Sequence, residues 1–265
     1  MVFPIGDDNR AVKGMGPAYV TIFMVVANIL VFVFLQDFGT NDEFVYGYSV
    51  VPAQIVQGVD YTTPQTMMVQ GEPVRIPQAP GPGGGAGAPL IYLTLLTSMF
   101  MHAGFGHLGG NLLFLWIFGD NVEHRFGHGT FLLFYLVSGT AATAAQIAVD
   151  PGSVVPLLGA SGAISGVLGA YLVLFPRNRV HTFFFYTIIS IPALAAIGLW
   201  VLLQFFGGFG AITGEQIGGV AYAAHLGGFF AGAILALILR LTIRREPHNA
   251  FSEVVERDPR SRRMW

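Results

Sequence analysis

The sequence contains no cysteine and few charged residues, and both shortages narrow the classes of protein it can belong to. Without cysteine there can be no thiol catalysis, no disulfide and no cysteine-ligated metal. Charged residues make up 11% of the 265 positions, against roughly 25% in ordinary soluble domains. Hydrophobic residues make up 53%, and the mean hydropathy is +0.61. Together with several long apolar runs, this composition predicts a protein that crosses a membrane more than once.

The apolar runs predict an all-α polytopic membrane protein, a bundle of six transmembrane helices with a long outer loop after the first helix. The predicted spans are residues 18–36, 106–123, 130–149, 161–175, 183–206 and 220–242. A kink is expected at Pro192, inside the fifth span. The predicted domains are a cytoplasmic tail (1–17), a membrane domain (18–242) with an outer loop (37–105), and a second cytoplasmic tail (243–265).

The basic residues are distributed unevenly over the two sides of the predicted membrane domain. Twelve of the 13 lysines and arginines fall in the tails and in the loops that share their side, and only Arg75 lies opposite. Cytoplasmic loops carry the excess of basic residues, so that side is expected to be the cytoplasm, with both termini on it.

A serine and a histidine lie in two separate apolar spans, each beside glycine. Ser161 opens the fourth span in Gly-Ala-Ser-Gly (159–162), and His225 lies near the outer end of the sixth span. A hydroxyl and an imidazole within hydrogen-bond reach supply a nucleophile and its base. The serine motif alone is weak, since a serine can simply cap a helix. A histidine inside a membrane is costly, however, and therefore indicates function.

Glycine spacing gives an independent reason to pair these two spans. Gly162, Gly166 and Gly169 fall on one face of the fourth span, and Gly228 and Gly232 share the histidine's face of the sixth. Small residues at such spacing allow two helix backbones to approach closely in a membrane. Close packing of these faces would bring the serine and the histidine together.

A third polar cluster comprises His102, His107 and Asn111, around the start of the second span. His107 and Asn111 are one helical turn apart and therefore point the same way. Together with the backbone N–H of Ser161 they could donate hydrogen bonds to a developing oxyanion. The alternative is that they tie the outer loop to the bundle as buried polar groups. Both interpretations stay open for Asn111, whereas His102 is assigned a structural role.

In order and spacing, these motifs over roughly residues 90–240 resemble the rhomboid family of intramembrane serine proteases. The matching motifs are His107-x-x-x-Asn111, Glu123-x-Arg125, Gly159-x-Ser161-Gly162 and Ala224-His225-x-x-Gly228. The resemblance implies that Ser161 is the nucleophile, His225 the general base, and His107 and Asn111 oxyanion donors. It also implies a serine endopeptidase that cuts single-pass membrane proteins near the membrane surface.

One departure from the family pattern concerns the histidine. Many rhomboid proteins carry Tyr or Phe four residues after the serine, packed against the histidine, whereas this chain has Ser165. The orientation of His225 must then come from other contacts, which the sequence does not name.

The partners expected are transmembrane substrates and the lipid bilayer, with no nucleic acid, cofactor or metal, and no oligomeric state is predicted.

Three other classes of membrane protein fit the sequence less well. A zinc protease would need His-Glu-x-x-His, but the nearest match, at 124–128, has Arg125 where the general base belongs. An aspartic protease needs two intramembrane carboxylates, and Asp120, which could instead pair with Arg125, is only one. A related binding or transport protein would hold a membrane segment without cutting it, and would be expected to lack the serine or the histidine. The expected location is a bacterial plasma membrane.

Overall fold

The computed structural model describes residues 2–8, 16–58, 65–69, 72–76, 88–212 and 221–242. The predicted tail 243–265 and the glycine-rich stretch 77–87 of the predicted outer loop lie outside the described residues. In chain order the elements are β1 (Val2–Asp7), α1 (Tyr19–Leu30) with a π-helical continuation (Val31–Leu35), α2 (Asp42–Tyr48), α3 (Pro52–Gln57), β2 (Gln65–Val69), β3 (Glu72–Ile76), α4 (Thr94–Thr97), α5 (Phe105–Phe126), α6 (His128–Val149), α7 (Ser161–Leu174), β4 (Arg179–Phe184), β5 (Thr187–Pro192), α8 (Ala193–Ile212) and α9 (Tyr222–Thr242).

The predicted helical character is confirmed, and most of the predicted spans coincide with helices. Helices α5, α6, α7 and α9, and α1 together with its π-helical continuation, begin and end within three residues of the predicted boundaries. Within the described ranges, α6 and α9 are long and apolar enough to cross a membrane, and four shorter apolar helical stretches accompany them. These four shorter stretches are α1 with its continuation, the segment 91–100 before α5, α7, and most of α8.

Helix α7 is the centre of the bundle. Every residue from Gly162 to Tyr171 is buried, and α7 packs against α5, α6, α8 and α9. The buried side chains of α5, α6 and α7 form one continuous apolar cluster with Phe229 and Ala236 of α9. An element enclosed on all sides is held in one position, which makes α7 a rigid platform for its first residue, Ser161.

The predicted glycine faces of α7 and α9 meet, as the spacing indicated. A Cβ placed on Gly228 would collide with the carbonyl oxygen of Gly162, and one on Gly232 with that of Gly166. A Cβ on Gly169 would collide in the same way with the carbonyl oxygen of Phe229. The two backbones therefore touch over two helical turns, which only residues without a side chain permit.

The prediction that the fifth span begins at residue 183 and kinks at Pro192 is wrong. Residues 179–192 form the antiparallel hairpin β4–β5, and α8 begins only at Ala193. Proline disfavours helical backbone in the residue before it and fits the start of a helix, so Pro192 marks a boundary rather than a kink. The preceding residues are mainly β-branched and aromatic, which favours strands. Along β4, Val180 and Thr182 are buried whereas Phe183 is exposed, as expected for a strand whose side chains alternate between two faces.

Part of the predicted amino-terminal tail (1–17) forms a strand, which the sequence analysis did not predict. Strand β1 pairs antiparallel with β4 and completes a three-stranded sheet in the order β1–β4–β5. At the end of β1, the Asp7 carboxylate accepts hydrogen bonds from the Tyr171 hydroxyl of α7 and from the Asn121 amide of α5. The amino-terminal segment thus braces the end of the bundle opposite Ser161.

A buried carboxylate on α5 fixes the start of α1. Glu123 is fully buried and accepts hydrogen bonds from the backbone N–H groups of Val20 (2.8 Å) and Thr21 (2.7 Å) and from the Thr21 hydroxyl. These N–H groups belong to the first turn of α1, where no intrahelical acceptor exists and where negative charge is favourable. The pairing of Asp120 with Arg125, considered as one alternative, is absent from the ion pairs of the described ranges. Asp120 accepts a hydrogen bond from the Asn121 N–H (2.7 Å).

Candidate active site

The segment before α7 is held in place by the part of the chain between α2 and α5. Val50 and Leu157 exchange two backbone hydrogen bonds, of 3.0 and 2.7 Å, and the Gly159 N–H donates to the Ser98 carbonyl (2.8 Å). Gly159 has φ +126°, a backbone conformation that residues other than glycine rarely adopt. These contacts fix the loop that leads directly into Ser161.

Ser161 and His225 lie within hydrogen-bond distance. The Ser161 Oγ and the His225 Nε2 are 2.8 Å apart, although 64 residues separate them in the chain. The glycine contact between α7 and α9 causes this approach, because Gly162 follows Ser161 directly and Gly228 lies one turn after His225. The serine and the histidine singled out from the sequence are therefore neighbours in space.

The other ring nitrogen of His225 contacts a residue that the sequence analysis did not select. The Gln204 Oε1 of α8 lies 2.8 Å from the His225 Nδ1. An amide oxygen only accepts hydrogen bonds, so this contact favours the tautomer with the proton on Nδ1, in which the Nε2 lone pair faces the Ser161 hydroxyl. The signal that could have revealed Gln204 is its polarity within an otherwise apolar helix.

An aromatic ring from α8 also flanks the histidine. The ring centroids of Trp200 and His225 are 6.0 Å apart, with 38° between their planes. Ser165, at the position where many rhomboid proteins have an aromatic residue, donates a hydrogen bond to the Ser161 carbonyl (2.6 Å) along its own helix. Besides the contact with Ser161, the side chains that contact the His225 ring thus come from α8.

His107 and Asn111 of α5 lie on the same side of the bundle as Ser161. The Ala103 N–H donates to the His107 Nδ1 (3.4 Å), which leaves the proton on Nε2. A Cβ placed on Gly159 would be 2.9 Å from that Nε2 and 3.6 Å from the Ser161 Oγ. The Asn111 Nδ2 is buried and, among the described residues, has no hydrogen-bond acceptor. His107 thus presents a side-chain N–H beside the loop that precedes Ser161, and Asn111 presents an unpaired one a helical turn further along α5.

His102 lies in the loop before α5 and is completely buried. The Gln36 side chain donates to its carbonyl and accepts from its N–H, both at 2.9 Å, so the end of α1 holds its backbone. Its ring contacts that of His107, with centroids 5.1 Å apart. Burial, with a smaller contribution from His107, lowers the pKa of His102 to about 3, so the ring is neutral at physiological pH. It packs against a candidate donor without carrying charge.

His124 and His128, the histidine pair considered for zinc, bond to different partners. The His124 Nε2 lies 3.0 Å from the Gly16 carbonyl oxygen, whereas the His128 Nδ1 bonds to the Glu123 carboxylate. Within the described ranges, no group of three or more histidine, aspartate or glutamate side chains is placed to hold a metal ion. These two histidines serve the junction between α1, α5 and α6.

Comparison with known proteins identifies the family of this chain. The family model of the rhomboid domain matches residues 91–242, more than half of the chain. The chain belongs to the rhomboid family. The matched range contains His107, Asn111, Ser161, Gln204 and His225. Rhomboid proteins are integral to membranes and are typically intramembrane serine proteases.

Individual relatives match over about half of this chain. It is 39% identical over 144 residues to "Rhomboid protease GluP" of Bacillus subtilis, covering 54% of this chain and 26% of that protein. It is 32% identical over 163 residues to "Rhomboid protein 1, mitochondrial" of Saccharomyces cerevisiae, covering 58% of this chain and 44% of the relative. With "Rhomboid-like protein 11, chloroplastic" of Arabidopsis thaliana the identity is 29% over 149 residues, covering 54% and 51%. The chain therefore spans about a quarter to a half of the length of these relatives.

Proposed function

We propose that this chain is an intramembrane serine endopeptidase in which Ser161 and His225 form the catalytic dyad. The observation that carries the proposal is the 2.8 Å separation of the Ser161 Oγ from the His225 Nε2. The other ring nitrogen, Nδ1, is hydrogen-bonded to the Gln204 Oε1, which leaves Nε2 free to act on the serine. A serine hydroxyl is a weak nucleophile until a base takes its proton, and this geometry supplies that base.

The reaction would proceed in two halves. The Ser161 Oγ attacks the carbonyl carbon of the scissile peptide bond while His225 Nε2 accepts its proton, and the histidine then passes this proton to the leaving nitrogen. The amino-terminal fragment remains as an ester on Ser161. A water molecule, deprotonated by His225, attacks this ester, and the proton returns to Ser161 as the second fragment leaves.

The oxyanion formed in each half would be stabilised by donors from α5 and α7. His107 Nε2–H and Asn111 Nδ2–H lie on the α5 side, and the Ser161 N–H belongs to the first turn of α7. The first N–H groups of a helix have no intrahelical acceptor and carry partial positive charge. Such fixed donors are worth most in a site from which bulk water is largely excluded.

The proposed membrane arrangement uses α1, α5, α6, α7, α8 and α9 as six spans. The tails 1–17 and 243–265 would lie in the cytoplasm with twelve of the 13 basic residues. Ser161 would then lie below the outer surface, since the short helix α7 begins inside the membrane. Water could reach the dyad from the outside while the helices keep lipid away. A bacterial plasma membrane is the proposed location.

The proposed substrates are single-pass transmembrane proteins cut near the membrane surface, as the family resemblance implies. The purified full chain in liposomes should cut a labelled single-span protein into two fragments, whereas Ser161→Ala should give none at an unchanged melting temperature. Ser165→Ala, one turn further along α7, is the matched control and should cut normally. Cleavage by Ser161→Ala at the normal rate would overturn the dyad. Binding of the substrate by the unaltered chain without any cutting would instead favour a non-enzymatic binding protein.

A further inference from the structure

Ser161, His225 and Gln204 form a continuous line of three side chains from three helices. The Ser161 Oγ to His225 Nε2 distance and the His225 Nδ1 to Gln204 Oε1 distance are both 2.8 Å. Both imidazole nitrogens are therefore engaged, one on the α7 side and one on the α8 side.

The contact between Gln204 and His225 belongs to an extended register between α8 and α9. Trp200, Gln204 and Gly208 lie on one face of α8 at intervals of four residues. Trp200 lies near both His225 and Phe229, with ring centroids 6.0 and 6.4 Å away. A Cβ placed on Gly208 would lie 3.2 Å from the Cβ of Tyr222, one turn before His225. Packing on both sides thus holds the amide against the imidazole.

The position of Gln204 is costly unless the amide has a partner. Its neighbours Leu202, Leu203, Phe205 and Phe206 are all exposed on the surface of α8, as expected for side chains that face lipid. An amide in such surroundings loses its hydration, so it is retained where a specific hydrogen bond compensates the loss. The bond to His225 is that compensation.

The chemistry of the contact is specific to an amide. Accepting from Nδ1–H fixes the tautomer in which Nε2 can take a proton from Ser161, and it restrains the ring in the plane of that transfer. Unlike a carboxylate, the amide adds no charge beside the imidazole. Among the described residues, the titratable group that faces His225 from another helix is His107 of α5, while α6 contributes the neutral Gln146, which accepts from the Ala224 N–H.

We propose that Gln204 is a positioning residue that holds His225 in the tautomer and orientation required of the base, so that Ser161, His225 and Gln204 act as a triad. The role rests on the proposed protease function. Gln204 acts through the histidine and touches no substrate atom.

The kinetic test compares Gln204→Ala and Gln204→Glu with two matched controls. Leu203→Ala changes an exposed neighbour on α8, and Gln146→Ala removes a glutamine that bonds to the Ala224 N–H of α9 (3.2 Å) but not to the imidazole. Cleavage of a labelled single-span substrate would be measured from pH 5 to 9, with the melting temperature of each variant.

Gln204→Ala should lower kcat on the order of 10- to 100-fold, a part of what a general base contributes, and leave KM unchanged. Gln204→Glu should retain activity at high pH. The acidic limb of its pH–rate profile should move to higher pH, because a carboxylate stabilises the imidazolium form of His225. The two controls should keep the original pH profile. Normal kcat in Gln204→Ala with an unshifted limb in Gln204→Glu would overturn the proposal, as would loss of melting temperature without loss of kcat per folded molecule.

A second measurement does not depend on activity, so it separates this inference from the protease function. In protein labelled with ¹⁵N-histidine and carrying Ser161→Ala, the His225 resonances should report a proton on Nδ1. Adding Gln204→Ala should shift them towards a mixture of both tautomers. An unchanged tautomer after that substitution would contradict the positioning role even if the chain proves to be a protease. Failure of the unaltered chain to cut its substrate would contradict the protease function alone.

Discussion

The backbone of α9 at Gly228 touches the carbonyl oxygen of Gly162 in α7, so closely that a methyl group on Gly228 would collide with that oxygen. Gly162 follows Ser161 directly, and Gly228 lies three residues after His225. The 2.8 Å separation of the serine and histidine side chains therefore depends on two residues that have no side chain.

Gly228→Ala should consequently weaken both the fold and the proposed activity. Extra volume in a packed interface costs about 1–3 kcal/mol, and a displacement of about 1 Å at a reacting pair can lower the rate about 10²-fold. Gly198→Ala on α8 is the matched control, because a Cβ there would have no heavy atom within 4 Å. It should leave the melting temperature unchanged or slightly raised. Equal melting temperatures and cleavage rates for the two variants would show that the glycine contact does not hold the dyad together.

Asn111→Ala should lower kcat by up to about 10²–10³, as loss of one oxyanion donor can. KM should barely change, since the ground-state substrate carries no oxyanion. Because the Asn111 Nδ2 has no acceptor among the described residues, its removal should cost little thermal stability. The matched control is Asn121→Ala on the same helix, whose amide donates to Asp7 and to the Ile117 carbonyl, both at 3.0 Å. It should lower the melting temperature and retain kcat. A destabilised Asn111→Ala with unchanged kcat would make this residue a structural tie.

Cysteine labelling should establish the orientation in the membrane, and the absence of native cysteine makes the experiment direct. Val155, in the loop before α7, is 52% exposed, and Tyr186, at the tip of the β4–β5 hairpin, is 97% exposed. In intact cells an impermeant maleimide should modify Val155→Cys but not Tyr186→Cys, and both should react once the membrane is opened. The reverse pattern would place the dyad on the cytoplasmic side.

The β4–β5 hairpin shows where reasoning from hydropathy failed. Residues 183–191 are apolar enough to continue a span, yet the same β-branched and aromatic residues favour strands. Pairing decided between the two structures, because β1 supplies a third strand from the other end of the chain. A partner separated by about 180 residues leaves no local trace in the sequence, so the pairing of β1 with the hairpin could not be predicted from it.

The sequence by itself determined the class, the approximate helix boundaries and the pairing of α7 with α9. Apolar length and glycine periodicity are local properties that survive in any arrangement of the helices, and Ser161 and His225 stand out because polar residues in such helices are costly. Only the tertiary structure decided what orients His225. Gln204 and Trp200 reach the imidazole because α8 packs against α9 in one particular register, in which Gly207 and Gly208 contact Tyr222. A contact between two separate helices is not specified by the local pattern of either one.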